Sequence, residues 1–245
     1  MNEIISDGNL ALFLRLLIAH LLGDFLFQHK NWIIQKKTKG WKAAGLYVHV
    51  LIIGLLTYLF SGYYQNFWIP LLVMVTHLAA DIWKSTTEDN AKEFVIDQLI
   101  HIFVLVIAWY LYLYKKIIPE IWLSELAGNV RFLAVIAAYI TVIWPSGYFI
   151  AKITKPWQEQ VDISMGLPEA GRWIGIIERI LILTFVLVDQ YSGIGFLIAA
   201  KSILRFGDIK DSKNRKEAEY ILIGTMISFI VAILTGIFTL QIIRL

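Results

Sequence analysis

The sequence predicts an all-α protein, a polytopic bundle of seven to eight membrane-spanning helices. Three observations carry that expectation. The chain of 245 residues is 58% hydrophobic with a mean hydropathy of +0.66, above the ~45–50% apolar content of soluble domains. Several of its apolar runs approach the ~20 residues that cross a bilayer as a helix. The alternating polar pattern of a membrane β-barrel is absent. The chain reads as one integral membrane domain over 1–245, with a four-helix half at 10–114 and a C-terminal helical half at 130–243.

In order, the apolar runs place spans at about 10–28, 43–60, 67–83, 94–114, 130–152, 172–190 and 218–243. The first follows "MNEIISDGN", which is acidic and lacks the basic start of a cleavable signal peptide. The second and third are separated by 61–66, a loop without charge. The stretch 192–206, "SGIGFLIAAKSILRF", is short for a full span. It reads as a tilted crossing, a re-entrant piece or an interfacial amphipathic helix. Trp and Tyr near the helix ends form an aromatic belt. Gly23 permits close helix packing, and Arg15 reads as a snorkelling or structurally paired residue.

Loop charge sets the orientation. The segment 29–42 carries Lys30, Lys36, Lys37, Lys39 and Lys42 and no acid. The positive-inside rule puts this segment in the cytoplasm and the N-terminus outside. The expected location is a bacterial cytoplasmic membrane. The net charge of +3 is modest and its basic residues sit in loops, so no nucleic-acid partner is expected; the partner is the lipid bilayer. The absence of cysteine excludes disulfides, thiolate zinc sites and a cysteine nucleophile.

Of the five histidines, His20, His49, His77 and His101 fall inside predicted spans. Three have an aspartate four residues away: His20 with Asp24, His77 with Asp81, and His101 with Asp97. That spacing stacks both side chains on one helix face. Ionisable groups in lipid are costly, so each needs a partner, a protonation change or a metal. On the predicted topology the aspartates lie roughly 4–6 Å and the histidines roughly 9–12 Å in from the cytoplasmic helix ends. Four helices thus bring polar groups to two matching depths. "LIAHLLGD" followed by His49 also echoes "MVTHLAAD" followed by His101, which suggests a tandem two-helix repeat in 10–114.

Imidazoles and carboxylates without thiols suit a divalent transition metal: zinc first, with manganese or iron as alternatives. His20, Asp24, His49, His77, Asp81, Asp97 and His101 are the candidate ligands, and Asp24, Asp81 and Asp97 the candidate catalytic carboxylates. Seven candidates exceed one tetrahedral zinc and allow one ion or two. Gln28 and Gln98 are candidate orienting groups or polar interface residues. A second cluster, Glu178, Arg179, Lys201 and Arg205, reads either as internal ion pairs or as a rim for an anionic lipid headgroup or phosphorylated small molecule.

"HLLGDFLFQ", "HLAADIWK", "DQLIH", "GRWIGIIERILIL", "IAAKSILRF" and "EYILIGT" together resemble the bacterial membrane family called domain of unknown function 3307, over about 14–230. The HxxxD-type helices are also loosely similar to membrane-bound metal-dependent hydrolases, a likeness of motif style that transfers no substrate. The leading expectation is a metal-dependent hydrolase with its site near the cytoplasmic face, acting on an amphiphilic or phosphorylated substrate. The alternatives are a divalent-metal or proton-coupled transporter using the same residues, a bis-histidine haem protein, and a structural membrane protein with a metal staple.

Overall fold

The computed structural model describes residues 7–114, 125–161, 169–209 and 215–244, with side chains for all of these except 125, 204–209 and 215. All regular elements among the described residues are helical. The chain divides into two compact units, Met1–Ile140 and Thr141–Leu245.

The first unit contains α1 (Asp7–Phe25), α2 (Lys30–Lys39), a 3-10 turn (Gly40–Lys42), α3 (Ala44–Ser61), α4 (Trp68–Ser85), α5 (Ala91–Tyr114) and the short α6 (Glu125–Gly128). Helix α1 packs on α3, α3 on α4, α4 on α5, and α5 returns to α1, so four long helices close a ring. Its apolar core draws on all four, through Leu12 and Leu16, Ile53, Val73, and Leu105 with Ala108. Tyr63 stacks on Tyr112 in the same cluster, ring centroids 4.6 Å apart. The Trp109 indole N–H donates to the Asn9 carbonyl at 2.7 Å and ties α5 to α1. A Cβ on Gly23 would collide with Ile53, so glycine is what lets α1 and α3 touch beside Asp24.

Residues 29–42, expected as a loop, are largely helical. His29 caps α2 by accepting from the Asn31 N–H at 3.3 Å. No Gly or Pro interrupts residues 30–39, and Gly40, at φ 55°, ends the helix in a conformation that favours glycine. Trp32 then packs so tightly over Gly45 that a Cβ there would come within 2.6 Å of the indole. The Gln35 side chain accepts from the Gly45 N–H at 3.4 Å. These contacts fasten α2 to the start of α3.

In the second part of the chain, α7 (Val130–Ile143) runs from the first unit into the second. It is followed by α8 (Pro145–Gln158), α9 (Ala170–Leu187), α10 (Tyr191–Ile209) and α11 (Arg215–Ile243). The span expected over about 130–152 is kinked at Trp144, where Pro145 has no N–H to continue the ladder and opens α8, yet Val130–Gln158 remains one stretch long and apolar enough to cross a bilayer. Helix α9 packs on α8 and α11, and α10 packs on α9 and α11.

Among the described residues, five helical segments are long and apolar enough to cross a bilayer: Asp7–Phe25, Ala44–Ser61, Ala91–Tyr114, Val130–Gln158 and Lys216–Ile243. The sequence expectation was seven to eight. Helices α4 and α9 have the length, at 18 residues each, but carry His77, Asp81 and Lys84, and Arg172, Glu178 and Arg179. The polar residues that make these helices chemically interesting also lower their apolarity.

Candidate metal centre

The helix spacing stacks His20 with Asp24 on α1, His77 with Asp81 on α4, and Asp97 with His101 on α5, while α3 adds His49. The ring arrangement turns all seven toward one place. His77 and His101 stack at 4.1 Å between ring centroids. His20 lies 5.0 Å from His101, and His49 lies 5.0 Å from His77. The four imidazoles are all at most 4% exposed, and the three carboxylates keep only 7–12% side-chain exposure.

The apolar core lies on the other side of the imidazoles from the carboxylates. Leu12 and Leu16 precede His20 on α1 and Val73 precedes His77 on α4, whereas the aspartates follow. On α5 the order reverses with the helix direction: Asp97, His101, then Leu105 and Ala108. One end of the cluster is therefore closed by hydrocarbon and the other by carboxylates.

At the centre, Asp24 Oδ1 lies 3.3 Å from His49 Nε2 and 3.4 Å from His77 Nε2, and the two nitrogens are 3.0 Å apart. Asp81 Oδ2 lies 3.7 Å from His49 Nε2 and 3.9 Å from His77 Nε2. Donor atoms bound tetrahedrally at about 2.05 Å are separated by about 3.3 Å. The triangle of Asp24, His49 and His77 has that size. His20 Nε2, Asp24 Oδ1, Asp81 Oδ2 and Asp97 Oδ1 are sealed from solvent and make no hydrogen bond. Buried lone pairs of this kind are costly to leave unmet. Both their chemistry and their spacing fit a divalent cation.

The outer oxygens are spoken for. Lys36 Nζ donates to Asp81 Oδ1 at 2.8 Å, in a pair whose side chains are 10% and 7% exposed. The Gln98 amide donates to Asp97 Oδ2 at 3.3 Å. Such contacts fix the carboxylates and leave their other oxygens facing inward. Lys36 was not singled out by the sequence, where it is one of five lysines read as a topology signal. The clue was its position three and four residues after Ile33 and Trp32, on the half-buried face of α2. The remaining lysines of that segment, Lys30, Lys37, Lys39 and Lys42, are exposed.

The second candidate cluster is differently used. Lys201 Nζ and Glu178 form an ion pair at 2.7 Å. Arg179 donates through Nε to the Val142 carbonyl and through Nη2 to the Ile143 carbonyl at 3.3 Å, at the α7–α8 break. The Ser146 hydroxyl serves the same break by donating to the Thr141 carbonyl at 2.8 Å. The Arg205 side chain lies outside the described residues. Arg15, 4% exposed, does not snorkel; its electrostatic neighbours are Tyr63 and Tyr64.

No curated protein and no solved structure matches the chain, so the loose likeness to metal-dependent hydrolases gains no support from known relatives. The motifs "GRWIGIIERILIL", "IAAKSILRF" and "EYILIGT" lie beyond the family match. That match covers residues 12–129, which carry the whole His/Asp cluster and Lys36, and over this stretch the chain resembles the family described as "Protein of unknown function (DUF3307)".

Proposed function

We propose that the protein is a membrane-embedded, metal-dependent hydrolase acting on an amphiphilic or phosphorylated substrate. The observation that carries this reading is the triangle of Asp24 Oδ1, His49 Nε2 and His77 Nε2, with sides of 3.0–3.4 Å, walled by buried lone pairs. His49, His77, Asp24 and Asp81 hold a divalent cation, zinc first and manganese or iron next. When bound, such an ion lowers the pKa of water and polarises the bond to be cleaved. Asp24, Asp81 and Asp97 orient the donor set or accept the proton from water. His20 and His101, 3% and 4% exposed, exclude bulk water by their burial.

At the carboxylate end of the cluster, Lys36 of α2 covers Asp81, and the other lysines of α2 and the turn after it are exposed. Under the positive-inside rule this end is cytoplasmic and the N-terminus is outside, in a bacterial cytoplasmic membrane. Lys30, Lys37, Lys39 and Lys42 beside exposed Ile34 and Trp41 suit the anionic headgroup region. The layer of Leu12, Leu16, Ile53, Val73, Leu105 and Ala108 covers the imidazole side of the site, with Tyr63, Tyr112 and buried Arg15 in the same half of the bundle, so the flux measurement below decides between hydrolysis and transport.

The test is elemental analysis of detergent-purified protein beside a His77→Ala/Asp81→Ala variant, after metal add-back. Stoichiometric metal in the wild type and none in the variant is expected; a metal-free wild type rejects the reading. Phosphate release from lipid phosphoesters by loaded protein, abolished by the same variant, tests the hydrolase assignment. Cation flux into proteoliposomes would instead favour the transporter.

A further inference from the structure

The three carboxylates are not equivalent. Asp81 gives one oxygen to Lys36 and turns the other, Oδ2, toward His49 and His77. Asp97 gives one oxygen to Gln98 and keeps Oδ1 3.4 Å from His101 Nε2. Asp24 gives neither away. Its Oδ1 faces His49 and His77 at 3.3 and 3.4 Å, and its Oδ2 faces His20 Nε2 at 3.8 Å.

Around Asp24 the donors sort into two sets of the same composition. On one side stand His49, His77 and Asp81, from α3 and α4. On the other stand His20, His101 and Asp97, from α1 and α5, with the His20 and His101 rings 5.0 Å apart. Each set has two imidazoles and one terminal carboxylate oxygen; Asp24 turns Oδ1 to the first and Oδ2 to His20 of the second. His77 stands between the sets, stacked on His101 at 4.1 Å and with its ligand atom within 4.8 Å of those of His20 and Asp24. The buried, unbonded atoms are divided between the sets: Asp81 Oδ2, Asp24 Oδ1 and His49 Nδ1 in the first, His20 Nε2 and Asp97 Oδ1 in the second. A single tetrahedral ion would satisfy the first set and leave the second unmet. A carboxylate with both oxygens turned inward between two sets of donors is suited to join two cations, the arrangement by which two-metal sites hold a substrate oxygen from both sides.

We propose that the cluster is a two-cation centre in which Asp24 bridges an ion held by His49, His77 and Asp81 to an ion held by His20, His101 and Asp97. This rests on the metal-site reading above. The two sets come from the two helix pairs in exchange: each takes one helix from each half of the tandem repeat, α1 with α5 and α3 with α4. Loss of one half-site therefore leaves donors from both halves of the repeat in place.

Mn²⁺ alone is the probe, added to the detergent-purified full chain and read by metal content and electron paramagnetic resonance. The wild type is expected to saturate at two Mn²⁺ per chain, with the broadened spectrum of an exchange-coupled pair. A His101→Ala/Asp97→Asn variant and a His49→Ala/Asp81→Asn variant should each fall to one ion with the six-line spectrum of an isolated Mn²⁺. Helical circular dichroism and monodisperse elution identify variants that remain folded, and the wild-type count decides even where a variant does not. Saturation of the wild type at one ion with six lines overturns the bridge while leaving the metal reading intact. Two ions without exchange coupling overturn the bridging role of Asp24. No bound Mn²⁺, zinc or iron at all overturns the metal reading itself.

Discussion

The two units bury ionisable residues in opposite ways. In the second, the buried charges among the described residues meet partners of matching capacity: Glu178 takes Lys201, and Arg179 serves the carbonyls of Val142 and Ile143 at the α7–α8 break. In the first, His20, Asp24, Asp81 and Asp97 crowd together and all keep sealed atoms without a hydrogen bond, and Arg15 separately keeps Nε and Nη1 unbonded. A balanced ledger of donors and acceptors is what helix packing requires. A surplus of lone pairs at one point is what a cation requires. The location of buried charge is therefore less informative than whether its bonding capacity is spent.

The largest effect that tests this contrast is loss of the proposed cation. His77→Ala/Asp81→Ala should abolish metal binding by elemental analysis, whereas Glu178→Gln/Lys201→Met should leave metal content unchanged. If the second variant also loses metal, the division of roles between the clusters fails. Next in size is Lys36→Met, which leaves Asp81 buried without its ammonium. It should destabilise metal-free protein by about 3 kcal/mol, read by thermal unfolding in detergent. Because an added cation then becomes the carboxylate's sole positive partner, the upward Tm shift on metal addition should exceed that of the wild type.

Lys201→Met alone strands Glu178 in a somewhat more exposed setting, with 11% of its side chain accessible. It should cost about 2 kcal/mol, with the Glu178→Gln/Lys201→Met double variant close to neutral. Arg179→Met should cost about 1–2 kcal/mol by orphaning two carbonyls, without a change in metal response. A metal-dependent Tm shift altered by Arg179→Met would break the comparison from the other side. The smallest expected effect on stability belongs to topology. A Lys39→Cys variant of this cysteine-free chain should remain folded and react with impermeant thiol reagents only from the cytoplasmic side.

Much of this was legible in the sequence, for identifiable reasons. The i,i+4 pairs on α1, α4 and α5 report a shared helix face directly, and their reversed order on α5 reports the opposite chain direction. Position along a helix thus translated into depth, and depth into encounter. What did not translate was lateral geometry. Read as a loop, residues 29–42 leave unused the Trp32/Ile33 spacing that sets the rotation of α2, so Lys36, which turns inward, is not separated from Lys37, which pairs with Asp89 at 3.4 Å on the surface. Nor could the sequence tell that Arg179 would be drawn to backbone carbonyls. That use depends on Pro145 breaking a helix 34 positions earlier in the chain.

The closed ring of α1, α3, α4 and α5 has a consequence for biogenesis. Each imidazole of the cluster comes from a different one of these helices, and α5 is the last to leave the ribosome. A ligand that needs all four imidazoles cannot be gripped by a partly inserted chain, however long that chain waits in the membrane. Capture would then act as a receipt for completed assembly, issued once the final helix has docked against the first.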